Sequence, residues 1–156
     1  MEKKNSIIIG SGVIGSYLAK LLLSKKHKVI VTSRKTKKHY TNYNKLNIEN
    51  KIIFEKLDVL KKQQISKILK KYTPNNIFYF SGQSSLTKSI KLKKTTNDSN
   101  YIGAKNFLEI LHFYKIKSKF YKANSGYIFE EKNGLINLSS KFSKNNNPHI
   151  QSQIKA

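Results

Sequence analysis

An α/β fold with a mostly parallel, doubly wound sheet is predicted by three features of this 156-residue sequence. Short apolar runs alternate with amphipathic stretches, a glycine-rich turn closes the first run, and Pro or Gly residues punctuate the joins. Strands alternating with helices imply right-handed crossovers and parallel pairing.

Each element follows from its residues. Ser6-Ile7-Ile8-Ile9-Gly10 is a continuous apolar run ending in Gly, which suits a strand buried on both faces. Ile14, Tyr17, Leu18, Leu21 and Leu22 share one helical face, so a first helix should bury that stripe. His27 to Ser33 reads as a second strand, and the basic, polar stretch from Arg34 to Asn50 as a loop with at most a short helix. Lys51 to Asp58 reads as a third strand. Ile65, Ile68, Leu69 and Tyr72 then mark a helix that Pro74 stops. Ile77-Phe78-Tyr79-Phe80 is a fourth strand ending at Ser81-Gly82, with a loop after it. Ala104, Phe107, Leu108, Leu111 and Tyr114 form another helical stripe, and Lys119 to Ala123 a fifth strand. After Ser125 the pattern weakens. Asn145-Asn146-Asn147-Pro148 reads as a polar loop, and no sixth strand follows.

Composition bounds the function. Hydrophobic residues make up 38% of the chain, too many for a disordered tail. With no Cys there is neither a disulfide framework nor a thiolate metal site, and no metal centre is expected. No run approaches a membrane span and none resembles a signal-peptide core, so a soluble, cytoplasmic protein without a membrane partner is the expectation. The formal net charge of +23 would suit a nucleic-acid-binding face. The bases are almost all Lys, however, scattered end to end and not interleaved with aromatics, which favours a compositional habit over specific nucleic-acid binding.

Gly10-Ser11-Gly12-Val13-Ile14-Gly15 fits G-x-G-x-x-G between a predicted strand and a predicted helix, the context a dinucleotide-binding turn requires. Gly10 permits the tight turn, Gly12 lets a pyrophosphate approach the backbone, and Gly15 lets helix and strand pack closely. The helix N-terminus would offer free N–H groups to the phosphates. At the end of the second strand stands Arg34, and no Asp or Glu occurs between Lys3 and Glu49. A guanidinium there meets a ribose 2′-phosphate, so NADP is expected ahead of NAD. The fold class thus becomes a Rossmann-type sheet.

Several segments carry a family resemblance. Gly12 to Ala19, Leu57-Asp58, Pro74 to Ser84, Asn100-Tyr101-Ile102-Gly103-Ala104 and Phe120 to Ser125 resemble the extended short-chain dehydrogenase/reductases, and within them the GDP-mannose 4,6-dehydratases and sugar-nucleotide epimerases. The likeness covers nearly the whole chain but only the first half to two-thirds of a complete member. It implies a single NAD(P)-binding domain over 1–156, truncated before the substrate-binding lobe. Residues 1–126 would form the patterned core and 127–156 a loop-rich remainder. It also implies cofactor contacts from Gly10, Gly12, Val13, Ile14, Gly15, Arg34, Asp58, Ser81 and Gly82, a nucleotide-sugar partner such as GDP-mannose, and a homo-oligomer formed through helices that include 100–114.

The catalytic segment departs from that pattern. Ser125 falls at the family's catalytic hydroxyl, but Tyr127 stands where a dehydratase has Glu. His149 and Gln153 stand where the family has the Tyr and Lys of Tyr-x-x-x-Lys. Gln153 carries no charge to lower a neighbour's pKa. His149 could transfer protons near neutral pH, but its place after an Asn-rich stretch favours an exposed loop residue. Three readings therefore stand: an NADP-binding dehydratase or epimerase-like chain, impaired or truncated; a non-catalytic dinucleotide-binding or redox-sensing module; and a basic nucleic-acid-binding protein.

Overall fold

The computed structural model describes residues 4–34 and 41–156. Five parallel strands form one sheet in the order β3-β2-β1-β4-β5: β1 is Asn5–Ile9, β2 Lys28–Ser33, β3 Ile53–Lys56, β4 Asn76–Tyr79 and β5 Lys119–Lys122. Ile8 pairs with Val31 on one side and Phe78 on the other, so β1 is central and its β-branched side chains are sealed on both faces. The predicted third strand is shortened at both ends.

Among the described residues seven α-helices accompany the sheet: α1 Val13–Ser24, α2 Thr41–Lys45, α3 Lys62–Tyr72, α4 Leu86–Lys91, α5 Lys93–Asn97, α6 Gly103–Phe113 and α7 Pro148–Ile154. Alternation along the strands divides the core. Ile7, Ile9, Ile30, Ile77 and Tyr79 pack with α3 and α6. Ile8, Val29 and Val31 pack with Ala19, Leu22 and Tyr43 on the opposite face. Each such Ile or Leu taken out of water contributes about 1.5–3 kcal/mol. The α3 stripe of Ile65, Ile68, Leu69 and Tyr72 is buried as its spacing predicts, and Thr73, in the left-handed region at φ 37°, ends the helix ahead of Pro74.

The α1 stripe is a correction. Ile14, Tyr17 and Leu21 are 66%, 62% and 55% exposed, and the buried face is Gly15, Ser16, Ala19 and Leu22. Helix and strand approach so closely at Gly15 that the small residues must face the sheet, which turns the larger ones outward. In α6 the buried set is Ala104, Phe107, Ile110 and Leu111, while Leu108 and Tyr114 lie outside it.

Two predicted loops contain helix. The stretch after Gly82 holds α4 and α5, and a π-helical turn over Asp98–Ile102 joins α5 to α6. The Asn-rich stretch ends in α7, where Asn147 Oδ1 accepts from His149 N at 2.9 Å and Pro148 occupies the first turn. Of the predicted loop after Arg34, residues 35–40 lie outside the described residues, and α2 follows them. Between residues 129 and 142 the chain is mostly exposed, with isolated bridges Phe129–Phe142 and Lys132–Leu135.

Candidate functional site

The chain runs from β1 outward to β2 and β3, then returns to place β4 on the other side of β1. This switch point leaves a crevice over the carboxyl ends of β1 and β4, where an open α/β sheet binds ligands. Gly10 turns the chain there at φ 109°, and a methyl group on it would lie 2.9 Å from the Phe80 carbonyl carbon. Only glycine satisfies both constraints. Gly12 precedes α1 in extended conformation, and a Cβ built on it would meet nothing within 4 Å. The backbone beside the helix N-terminus is therefore bare. Gly15 is the reverse case, since its Cβ would fall 2.5 Å from Gly10 O.

A cavity of about 350 Å³ occupies the crevice, with Gly10, Gly12, Arg34, Ser81 and Gly82 in its wall. A second cavity of about 290 Å³ shares the Phe80 to Gln83 segment and continues past Ile14 to Lys122, Ser125, His149 and Gln153. The two form one groove along the end of β4. Asp58 lines a smaller recess of about 90 Å³ beside Arg34, Asp98 and Ser99. One of its carboxylate oxygens accepts from Leu60 N at 3.0 Å. Arg34 is the chain's one arginine, and it is exposed at the groove's outer end. Val13 and Gly15 line neither main cavity.

The inner end is held by a polar cluster. Asn100 is buried, and its Nδ2 donates to Ser152 Oγ at 3.0 Å and to Gln83 O at 3.3 Å. Its Oδ1 has no hydrogen-bond partner. A methyl group on Gly82 would collide with that oxygen, so Gly82 is small because Asn100 lies against it. Tyr79 OH donates to Ser99 O at 2.7 Å, and burial pushes its phenol well above the usual range.

His149 is not an exposed loop residue. It is 5% exposed, in the first turn of α7, with Nδ1 2.8 Å from Gln83 O. A carbonyl only accepts, so Nδ1 donates in this contact, which fixes the ring against the end of β4. Ser125 Oγ accepts from Tyr127 N at 3.3 Å, which leaves the hydroxyl proton free to donate into the groove. Tyr127 is exposed and lines neither cavity. Lys122 is the residue that sequence reasoning missed. It occupies β5 with Nζ donating to Gln153 Oε1 at 2.5 Å, and its only sequence signal is a cation in a strand-like run. Among the described residues no three His, Asp or Glu side chains gather as metal ligands, and no helix is long and apolar enough to cross a membrane.

A family model described as GDP-mannose 4,6 dehydratase matches residues 7–144. The chain belongs to the GDP-mannose 4,6-dehydratase family. A GDP-mannose 4,6-dehydratase of Vibrio cholerae is 26% identical over 136 residues, 81% of this chain and 37% of the relative. A CDP-paratose 2-epimerase of Salmonella typhi is 30% identical over 106 residues, 67% of this chain and 31% of the relative. This family member thus spans about a third of the curated relatives' length. Its fold is that of solved sugar-nucleotide epimerases. The UDP-Glc/GlcNAc 4-epimerase of Campylobacter jejuni superposes with a TM-score of 0.85 at 18% identity, covering 97% of this chain and 46% of that one. The Brucella ovis UDP-glucose 4-epimerase, solved in complex with NAD, gives 0.84 at 18% identity, covering 97% and 45%.

Proposed function

We propose that this chain binds a nicotinamide dinucleotide along the groove, NADP in preference to NAD, as the nucleotide-binding part of a GDP-mannose 4,6-dehydratase-type protein. The observation that carries this reading is the bare backbone at Gly12, set at the N-terminus of α1 and opening on the larger cavity. A side chain there would fill the space where a pyrophosphate meets free N–H groups and the positive end of the helix dipole. Arg34 stands where the adenosine ribose would lie, able to form a bidentate pair with its 2′-phosphate. Gly10, Ser81 and Gly82 would wall the pyrophosphate, Asp58 would border the adenosine end, and Ile14 would flank the nicotinamide half.

The cofactor's chemistry would be to take hydride from a sugar carbon and return it. The chain's own part is to hold the sugar hydroxyl and move its proton. Ser125, with its hydroxyl proton uncommitted, would donate to the 4-hydroxyl or the developing keto oxygen of a nucleotide sugar such as GDP-mannose. His149, which lines the same cavity with its ring fixed by Gln83 O, would be the side chain there to relay that proton. Leu108 and Phe113, exposed on α6, would supply apolar surface for pairing with a second copy.

The neutral Gln153 favours a second reading, a dinucleotide-binding or redox-sensing module without turnover. Fluorescence titration with NADPH and NADH tests the shared core of both, and absence of binding at high micromolar concentration would remove both. Formation of a 4-keto sugar from GDP-mannose would exclude the sensor-only reading.

A further inference from the structure

The helix α7 carries an amide where the family pattern has an ammonium, and β5 brings an ammonium to that amide. Lys122 lies in register with Tyr79 of β4. Its Nζ donates to Gln153 Oε1 at 2.5 Å and weakly to Ala123 O at 3.4 Å. Asn124 Nδ2 donates to Gln153 O at 3.3 Å, tying the end of β5 to the same turn of α7. An ammonium has three N–H donors, so one remains. Among the described residues no carboxylate lies within ion-pair distance of Lys122. Burial lowers its pKa, as expected of a cation without a counter-charge. Lys122, Gln153 and Ser125 all line the inner cavity.

We infer that Lys122, steered by Gln153, is the cation that holds the vicinal hydroxyls of the second ribose of a bound dinucleotide. A single ammonium among hydroxyl and amide groups suits a diol, whereas the phosphates have the bare turn at Gly12. The inference rests on the dinucleotide reading above. Lys122 and Gln153 are thirty-one positions apart, so the pair arises only from the packing of α7 beside β5.

The test compares two ligands on the whole chain. NADPH spans the groove, whereas adenosine 2′,5′-bisphosphate fills only its outer half. Lys122→Gln should weaken NADPH roughly tenfold, the worth of one charge-assisted hydrogen bond, and leave the bisphosphate within about twofold. Lys122→Gln with Gln153→Lys returns the ammonium from the helix side and should bring NADPH back to within about threefold. Unchanged NADPH affinity in Lys122→Gln overturns the inference, and so does equal weakening of both ligands. Should Lys122→Gln lose its cooperative melt, the double variant carries the test, and loss of NADPH with the bisphosphate retained overturns the inference. Failure of the unsubstituted protein to bind either ligand instead sinks the dinucleotide reading, and this inference with it.

Discussion

Gly15 lies directly under Gly10: a Cβ on Gly15 would sit 2.5 Å from the Gly10 carbonyl oxygen and 3.2 Å from Ile8 Cγ2. The oxygen is backbone and cannot swing aside. Gly15→Ala should therefore lift α1 from the turn and cost about 2–3 kcal/mol, as overpacking against fixed atoms does. Urea denaturation measures it. Stability within about 0.5 kcal/mol of the parent would mean that the turn has slack.

Arg34 reaches only the outer groove, so its loss should act on one ligand. Arg34→Ala should weaken NADPH roughly tenfold and leave NADH unchanged, since the extra phosphate is the only difference between them. Parallel fluorescence titrations decide, and equal losses would place Arg34 elsewhere than at the 2′-phosphate.

Two helices end on strained lysines. Lys26 has φ 61° after α1, with His27 N donating to Leu22 O at 3.0 Å and Lys26 N to Leu23 O at 2.9 Å. Lys115 has φ 52° after α6, with Ile116 N donating to Leu111 O at 2.9 Å and Lys115 N to His112 O at 3.1 Å. Both are Schellman motifs with a side chain where glycine is favoured. Lys26→Gly and Lys115→Gly should each stabilise by about 0.5–1 kcal/mol, after some loss of charge complementarity to the helix dipole. The gains should add, because the sites share no partner. Thermal melts of the single and double variants read this out.

Glu55 accepts from Lys71 Nζ at 2.7 Å and Tyr72 OH at 2.5 Å, which hold its carboxyl below the usual carboxylate range despite partial burial. A lowered folded pKa means stability that is present above the unfolded value of about 4.3 and lost as pH falls through the folded one. Glu55→Gln should cost about 1 kcal/mol at neutral pH, a modest figure because the pair is partly solvated. It should match the parent once both are in strong acid. A deficit constant with pH would assign the effect to shape rather than charge.

The parts of this fold legible in sequence are those where one face or one run is decisive. β1 and β2 are buried on both sides, and β4 buries Ile77 and Tyr79 on one side with Phe78 half-buried on the other, so Ile7 to Ile9, Val29 to Val31 and Ile77 to Tyr79 read as strands. The α3 stripe meets the core as written. In α1 hydrophobicity misleads, because a close helix–strand approach selects Gly15, Ser16 and Ala19, which carry little apolar signal. The start of α7 was encoded in Asn147-Pro148, an N-cap followed by Pro, and an Asn-rich surrounding masked it. The glycine turn of the outer half is local in sequence, in the run from Gly10 to Gly15, and Arg34, Ser81 and Gly82 stand at strand ends, where a strand-by-strand reading looks for them. The inner half joins Gln83, Asn100, Lys122 and His149 from four separate segments, and only tertiary packing brings them together.

The central claim is that bare backbone at Gly12 receives a pyrophosphate. Titration of NADPH into the unsubstituted chain and into Gly12→Val measures it most directly, because a side chain there has open space and leaves the fold intact. The account predicts saturable binding by the first and none by the second, with melting temperatures alike. NADPH bound equally well by Gly12→Val, or by neither protein at high micromolar concentration, would contradict it.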